Sequence, residues 1–196
     1  MSHLHETSAG ASNRVKELVR QLEAANVLTE AVLDATVERF LIHAQPANGA
    51  RIVARAWVDA AFRTRLLDDG NAAAAEVGID LSRWAPVKLR AVANEPRRHN
   101  LIVCTLCSCY PLALLGPSPT WYKSEAYRSR AVRDPRSVLA EFGTSLGDDV
   151  EITVWDGTAE VRYLVVPMRP PGTEGASEAQ LAALVTRNGL IGTALV

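Results

Sequence analysis

Three cysteines in this chain fall within six residues, in the stretch Val103-Cys104-Thr105-Leu106-Cys107-Ser108-Cys109-Tyr110, and the chain has no others. An odd, clustered set argues against a disulfide framework and for a metal or redox site. Thiolates select iron, cobalt, copper or zinc and reject magnesium and calcium. A Cys-x-x-Cys pair can chelate a tetrahedral ion, and a third cysteine two residues on folds the loop around one centre. A structural zinc would need a fourth ligand. The nearest candidate, His99, precedes the apolar run Leu101-Ile102-Val103 and is expected to point away along it. The nearest further donors in so tight a loop are the backbone nitrogens of Ser108 and Cys109. Only a metal acidic enough to displace amide protons takes these, which favours a trivalent ion. A structural zinc loop and a pair of plain buried thiols are the blander alternatives.

The elements that must position this loop are legible in outline. Residues 1–12 are polar, lack periodicity and read as disordered. Val15, Leu18, Val19 and Leu22 then fall on one helical face behind a candidate N-cap at Asn13, and Leu33, Val37, Phe40 and Leu41 on a second behind Thr29. This gives a helical arm over 13–45, broken at Gln45-Pro46, whose apolar stripes must cover something. Residues 46–196 form the remaining domain. In it a long helix is expected from Asp59 to Val77, ending at Gly78, and a strand over Pro86–Ala93. The run 101–103 reads as a buried strand end, and the Arg97-Arg98-His99 cluster before it as a solvated loop. Helices are expected behind the caps Ser124, Asp134-Pro135 and Ser177 with Gln180. Val150, Ile152 and Val154 alternate, Asp156-Gly157 reads as a hairpin turn, and Val161–Val166 follows as a strand. The fold class is therefore α+β, a mixed α/β layered domain with an N-terminal helical arm.

Composition sets the bounds. The chain has 196 residues, 48% hydrophobic and 22% charged, with a net charge of −1. That is an ordinary globular balance with no basic excess to suggest nucleic acid. No apolar run is long enough to span a bilayer and the first residues carry no signal-peptide pattern, so a cytoplasmic location is expected.

The cysteine stretch resembles the metal-binding signature of nitrile hydratase alpha subunits in its cobalt form, where Thr105 and Tyr110 stand in place of the Ser and Thr usual in the iron form. Further segments share the resemblance: Val53–Val58, Trp121–Arg128, Val154-Trp155-Asp156, Ala159-Glu160, Arg162–Val165, Arg169-Pro170 and Leu184–Gly192. It implies the following expectations. The metal is non-corrin cobalt, Co(III), held by Cys104 as axial thiolate and by Cys107, Cys109 and the amide nitrogens of Ser108 and Cys109 in the equatorial plane. Cys107 is a sulfinic and Cys109 a sulfenic acid. One open position makes the metal a Lewis acid toward a nitrile, which is attacked by water or by the Cys109 sulfenate oxygen. Ser108 and Cys109 are then the residues at the reacting group, and Asp156, Glu160 and Arg162 support the site from behind. Read from the residues alone, Glu160 and Arg162 form an ion pair. A beta-type partner subunit, one chain or two shorter ones, supplies two arginines to the oxidised sulfurs, so the assembly is a hetero-oligomer.

Two departures from the family pattern bear on the substrate. Leu112 stands where the family usually has Trp, and Ala85 aligns with a usual glutamine. Together with Tyr110 they describe a roomier pocket, suited to a bulky or heteroaromatic nitrile such as a nitrile-bearing nucleoside of the toyocamycin type. A thiocyanate hydrolase subunit, which shares the motif and the cobalt, is the alternative within the same scaffold. A non-catalytic metal-binding module is the alternative outside it.

Overall fold

The computed structural model describes residues 2–81, 87–106 and 109–196. They divide into two units, Met1–His43 and Ala44–Val196. The first consists of helices α1 (Ser2–Ala24) and α2 (Glu30–Ile42). Helix α1 runs through Asn13 and takes in the polar N-terminal stretch, so Asn13 is interior and caps nothing. Thr29 does cap α2: its hydroxyl accepts the Val32 amide. Val15, Leu18, Leu33, Val37 and Leu41 of the two apolar stripes are exposed.

The second unit opens with α3 (Pro46–Val58), α4 (Ala60–Asp68) and α5 (Gly70–Glu76). The Gln45-Pro46 break starts a helix as well as ending one, because proline at the first helical position has no amide to waste. Ile52, Val53, Ala54 and Ala56 of α3 are buried. The single helix expected over Asp59–Val77 is two. Asp69 accepts the Asn71 and Ala72 amides and so caps α5 in the middle of the periodic stretch.

Strands β1 (Lys88–Ala93) and β2 (Arg98–Val103) follow, then α6 (Leu112–Leu115), α7 (Thr120–Lys123), α8 (Glu125–Arg133) and α9 (Pro135–Glu141). Strands β3 (Glu151–Asp156) and β4 (Val161–Val166) precede α10 (Glu178–Leu184) and α11 (Arg187–Ile191). The expected caps are present: Ser124 on α8, Asp134 on α9, and the Ser177–Gln180 capping box on α10.

The hairpin expected at Asp156-Gly157 is not one. Strand β1 pairs parallel with β4, and β2 pairs parallel with β3, as two two-stranded sheets. The Gly157 amide, which a hairpin turn would leave local, donates instead to Val103 O at 2.7 Å. Parallel strands need both faces covered, and β2 is buried at every position after Arg98. His99 therefore lies in a buried strand, 2% exposed, rather than in a solvated loop. Its Nε2–H donates to Gly192 O at 2.7 Å, and its Nδ1 accepts from Asn94 Nδ2 at 3.2 Å. The tautomer follows from the carbonyl, which can only accept. Both ring nitrogens are used, so His99 is no metal ligand.

Candidate metal centre

The cysteine loop begins where β2 ends. Register places Val103, the last residue of β2, opposite Asp156, the last residue of β3. The chain that leaves Val103 thus meets the Asp156 carboxylate at once. Asp156 Oδ1 accepts the Thr105 amide at 2.9 Å and Oδ2 accepts the Thr105 hydroxyl at 2.5 Å. Both carboxylate oxygens are engaged with the residue that follows Cys104, which makes Asp156 a holder of the loop. From the other side Arg128 Nη1 donates to Thr105 O at 3.1 Å.

Cys104 is 1% exposed and Cys109 is half-buried. Cys107 and Ser108 lie outside the described residues, as does Ala85. Among the described residues no three His, Cys, Asp or Glu side chains gather at one point. What the loop does present to a metal is soft, two thiols at its two ends, while the carboxylate that reaches it is occupied by Thr105. That donor chemistry fits a thiophilic transition metal and not a hard cation.

The turn after β3 lies against the loop's exit. A Cβ on Gly157 would sit 3.4 Å from Cys109 O, which shows how closely the two backbones approach. Glu160 and Arg162 stiffen this turn, and they do so separately. Thr158 Oγ1 donates to Glu160 Oε2 at 2.9 Å. Arg162 Nη1 donates to the carbonyls of Thr158, Ala159 and Val161. The ion pair expected between Glu160 and Arg162 is not among those formed by the described residues, because the guanidinium is turned to backbone carbonyls.

Beside Cys109 opens a cavity of about 450 Å³, lined by Cys109, Tyr110, Leu112, Ser118, Lys123 and Arg162 among others. Leu112 begins α6 and is half-buried there. Tyr110 is 8% exposed and its buried hydroxyl has no hydrogen-bond partner among the described residues. Burial raises its pKa well above the usual phenol value, against a smaller opposing pull from Arg187, so it stays protonated as a donor.

Three side chains in or between α7 and α8 had no role assigned from sequence, yet they hold the loop. Tyr127 Oη donates to Ile102 O at 2.7 Å, Arg128 to Thr105 O, and Tyr122 Oη to Cys109 O at 3.0 Å. Burial pushes both phenols far above their ordinary pKa. The available signal was the aromatic run itself, since a buried tyrosine hydroxyl seeks an acceptor.

The profile described as nitrile hydratase, alpha chain, matches residues 9–194. The low-molecular-weight cobalt-containing nitrile hydratase subunit alpha of Rhodococcus rhodochrous is 47% identical over 93% of this chain and 87% of its own length. Thiocyanate hydrolase subunit gamma of Thiobacillus thioparus is 40% identical over 91% of this chain and 82% of its own. A solved iron-type nitrile hydratase of Comamonas testosteroni Ni1, a double mutant, superposes with a TM-score of 0.88 at 40% identity, over 95% of this chain and 90% of that one.

Proposed function

The chain belongs to the nitrile hydratase alpha-chain family, and on that premise we propose that it is the metal-carrying subunit of an enzyme that adds water to a nitrile to give an amide. The observation that carries this reading is the cysteine loop at the paired ends of β2 and β3, inside a family match that spans almost the whole chain. Cys104, Cys107 and Cys109, with the amide nitrogens of Ser108 and Cys109, would hold the ion. Cobalt is favoured by Thr105 and Tyr110 and by relatives named for cobalt, although an iron-type structure is also similar. When bound, Co(III) supplies Lewis acidity toward the nitrile nitrogen.

The chain's own residues do the rest. Asp156 and Arg128 fix the peptide after Cys104, and the turn stiffened by Glu160 and Arg162 backs Cys109. The cavity beside Cys109 admits the substrate, and Tyr110 forms part of its wall. Leu112 sets the cavity's width on that side. Its modest bulk supports a large or heteroaromatic nitrile, because a pocket discriminates chiefly by what it excludes. Cys107 as sulfinic acid and Cys109 as sulfenic acid would present oxygens that need cationic donors, and a beta-type partner supplying arginines meets that need. The exposed apolar stripes of α1 and α2 are consistent with the same partner covering them.

Among the described residues no helix is long and apolar enough to cross a membrane. A cytoplasmic location remains our proposal.

The test is the complex of this chain with its partner, produced in cobalt-supplied cells. It should convert nitriles to amides and leave thiocyanate untouched. Consumption of thiocyanate without nitrile hydration would replace this reading with the thiocyanate hydrolase one, which the Thiobacillus relative keeps in view.

A further inference from the structure

Of the three hydrogen bonds from the α7–α8 segment, two fall at the loop's entry and one at its exit. Tyr127 takes Ile102 O, just before Cys104; Arg128 takes Thr105 O, just after it; Tyr122 takes Cys109 O. Thr105 is thereby held at every polar group it has, its amide and hydroxyl by Asp156 and its carbonyl by Arg128. The rings that carry these donors are fixed in turn. Tyr122 packs edge-on against Tyr110 at 4.9 Å between centroids, and Trp121 packs on Tyr127 at 4.9 Å and on Phe142 at 4.6 Å. Ser124 caps α8, which carries Tyr127 and Arg128 on its first turn.

We infer that Tyr122 and Arg128 are positioning residues for the metal loop: they hold the Thr105 and Cys109 carbonyls, so that part of the loop's ordering comes from the fold and need not come from the ion. The physical basis is the cost of a short loop that must order around an ion. Ordering entropy spent on folding need not be spent again on binding, so a loop already held binds more tightly and releases more slowly. None of these hydrogen bonds uses a group that would ligate the ion: each is made to a backbone carbonyl oxygen, of Ile102, Thr105 or Cys109. The inference rests on the metal reading above for its consequence, while the holding itself rests on the hydrogen bonds to the loop's carbonyls.

The experiment uses the full chain in complex with its partner, stripped of metal. Cys104 is 1% exposed, so its alkylation by iodoacetamide reports opening of the loop. Three variants are compared with wild type: Tyr122→Phe, which deletes one hydroxyl and keeps the ring; Arg128→Met, which deletes the donor; and Arg128→Lys, which restores one. The first two should alkylate at Cys104 about tenfold faster, the ratio expected for one hydrogen bond lost from a buried carbonyl. Far-UV circular dichroism and partner association should be unchanged, and Arg128→Lys should return the rate most of the way. With cobalt bound, release to a chelator should quicken by about tenfold or more in the same two variants. Alkylation within twofold of wild type in Arg128→Met would overturn the inference, and so would a Lys variant no better than Met. Should Tyr122→Phe fail to fold, the Arg128 pair alone decides. A wild-type complex that takes up no cobalt would contradict the proposed function, and the alkylation arm would still decide this inference.

Discussion

Leu112 is the residue at which substrate choice is most exposed to test. It is half-buried at the start of α6 and borders the cavity beside Cys109. Leu112→Trp adds an aromatic bulk to that wall. Catalytic efficiency on a bulky heteroaromatic nitrile should fall by about tenfold or more, within the range a filled pocket can impose. Efficiency on a small nitrile such as acrylonitrile should fall much less, and equal losses would mean that this position does not set the pocket's size. His99 offers a second residue-scale test, in stability. Burial pushes its pKa below 6.5, and the bond to Gly192 O only partly offsets this. Asn94 Oδ1 already accepts the Asn100 amide, so the Asn94 side chain cannot turn over to accept from a protonated ring without losing that bond. The unfolded chain takes up the proton near pH 6.5 and the folded chain resists it to lower pH. Stability is therefore full above that range and is lost as pH falls below it. The urea midpoint should be lower at pH 5.5 than at pH 7.5, with a smaller difference in His99→Gln. Identical pH dependence in the two proteins would show that His99 is not the group responsible.

At the scale of elements, what was legible in the sequence was local and what was missed was not. Thr29, Ser124, Asp134 and Ser177 each cap the helix expected of them, because a cap is satisfied within three residues. Asp69 shows the limit of periodicity: the apolar spacing runs on, but the carboxylate competes for the amides and ends one helix to begin another. Pairing was beyond reach. Asp156-Gly157 has turn chemistry, yet β3 finds its partner in β2, some fifty residues back, and only that pairing delivers Asp156 to Thr105. The cysteine loop was legible because its chemistry lies in one stretch. The carbonyl donors Tyr122, Tyr127 and Arg128 were not, because nothing local in their spacing says which carbonyl each will meet. One packing contact can be tested directly. Gly192 has φ +91, and a Cβ there would lie 2.0 Å from Asn100 O, on the strand that leads to Cys104. Gly192→Ala should cost about 3 kcal/mol, combining left-handed strain with backbone displacement. Gly78, with φ +78 and open space around it, should cost only about 1 kcal/mol when changed to Ala. Equal costs by urea unfolding would remove the close-approach argument.

At the scale of the whole molecule, one loop in one of the two units carries the proposed metal site. Residues 44–196 contain the loop, its sheet, its cavity and every side chain found to hold it. Among the described residues of 2–43, Val15, Leu18, Leu33, Val37 and Leu41 are exposed, and the proposed partner would cover them. Relatives named for cobalt and iron, and for nitrile and thiocyanate, share the fold, so the fold alone cannot choose among them. The metal and the state of the sulfurs can. The most direct measurement is elemental analysis of the complex purified from cobalt-supplied cells, joined to peptide mass spectrometry across 98–123. The expected result is about one cobalt per chain, two added oxygens on Cys107, one on Cys109 and none on Cys104. Stoichiometric zinc with three unmodified thiols in an active preparation would contradict it.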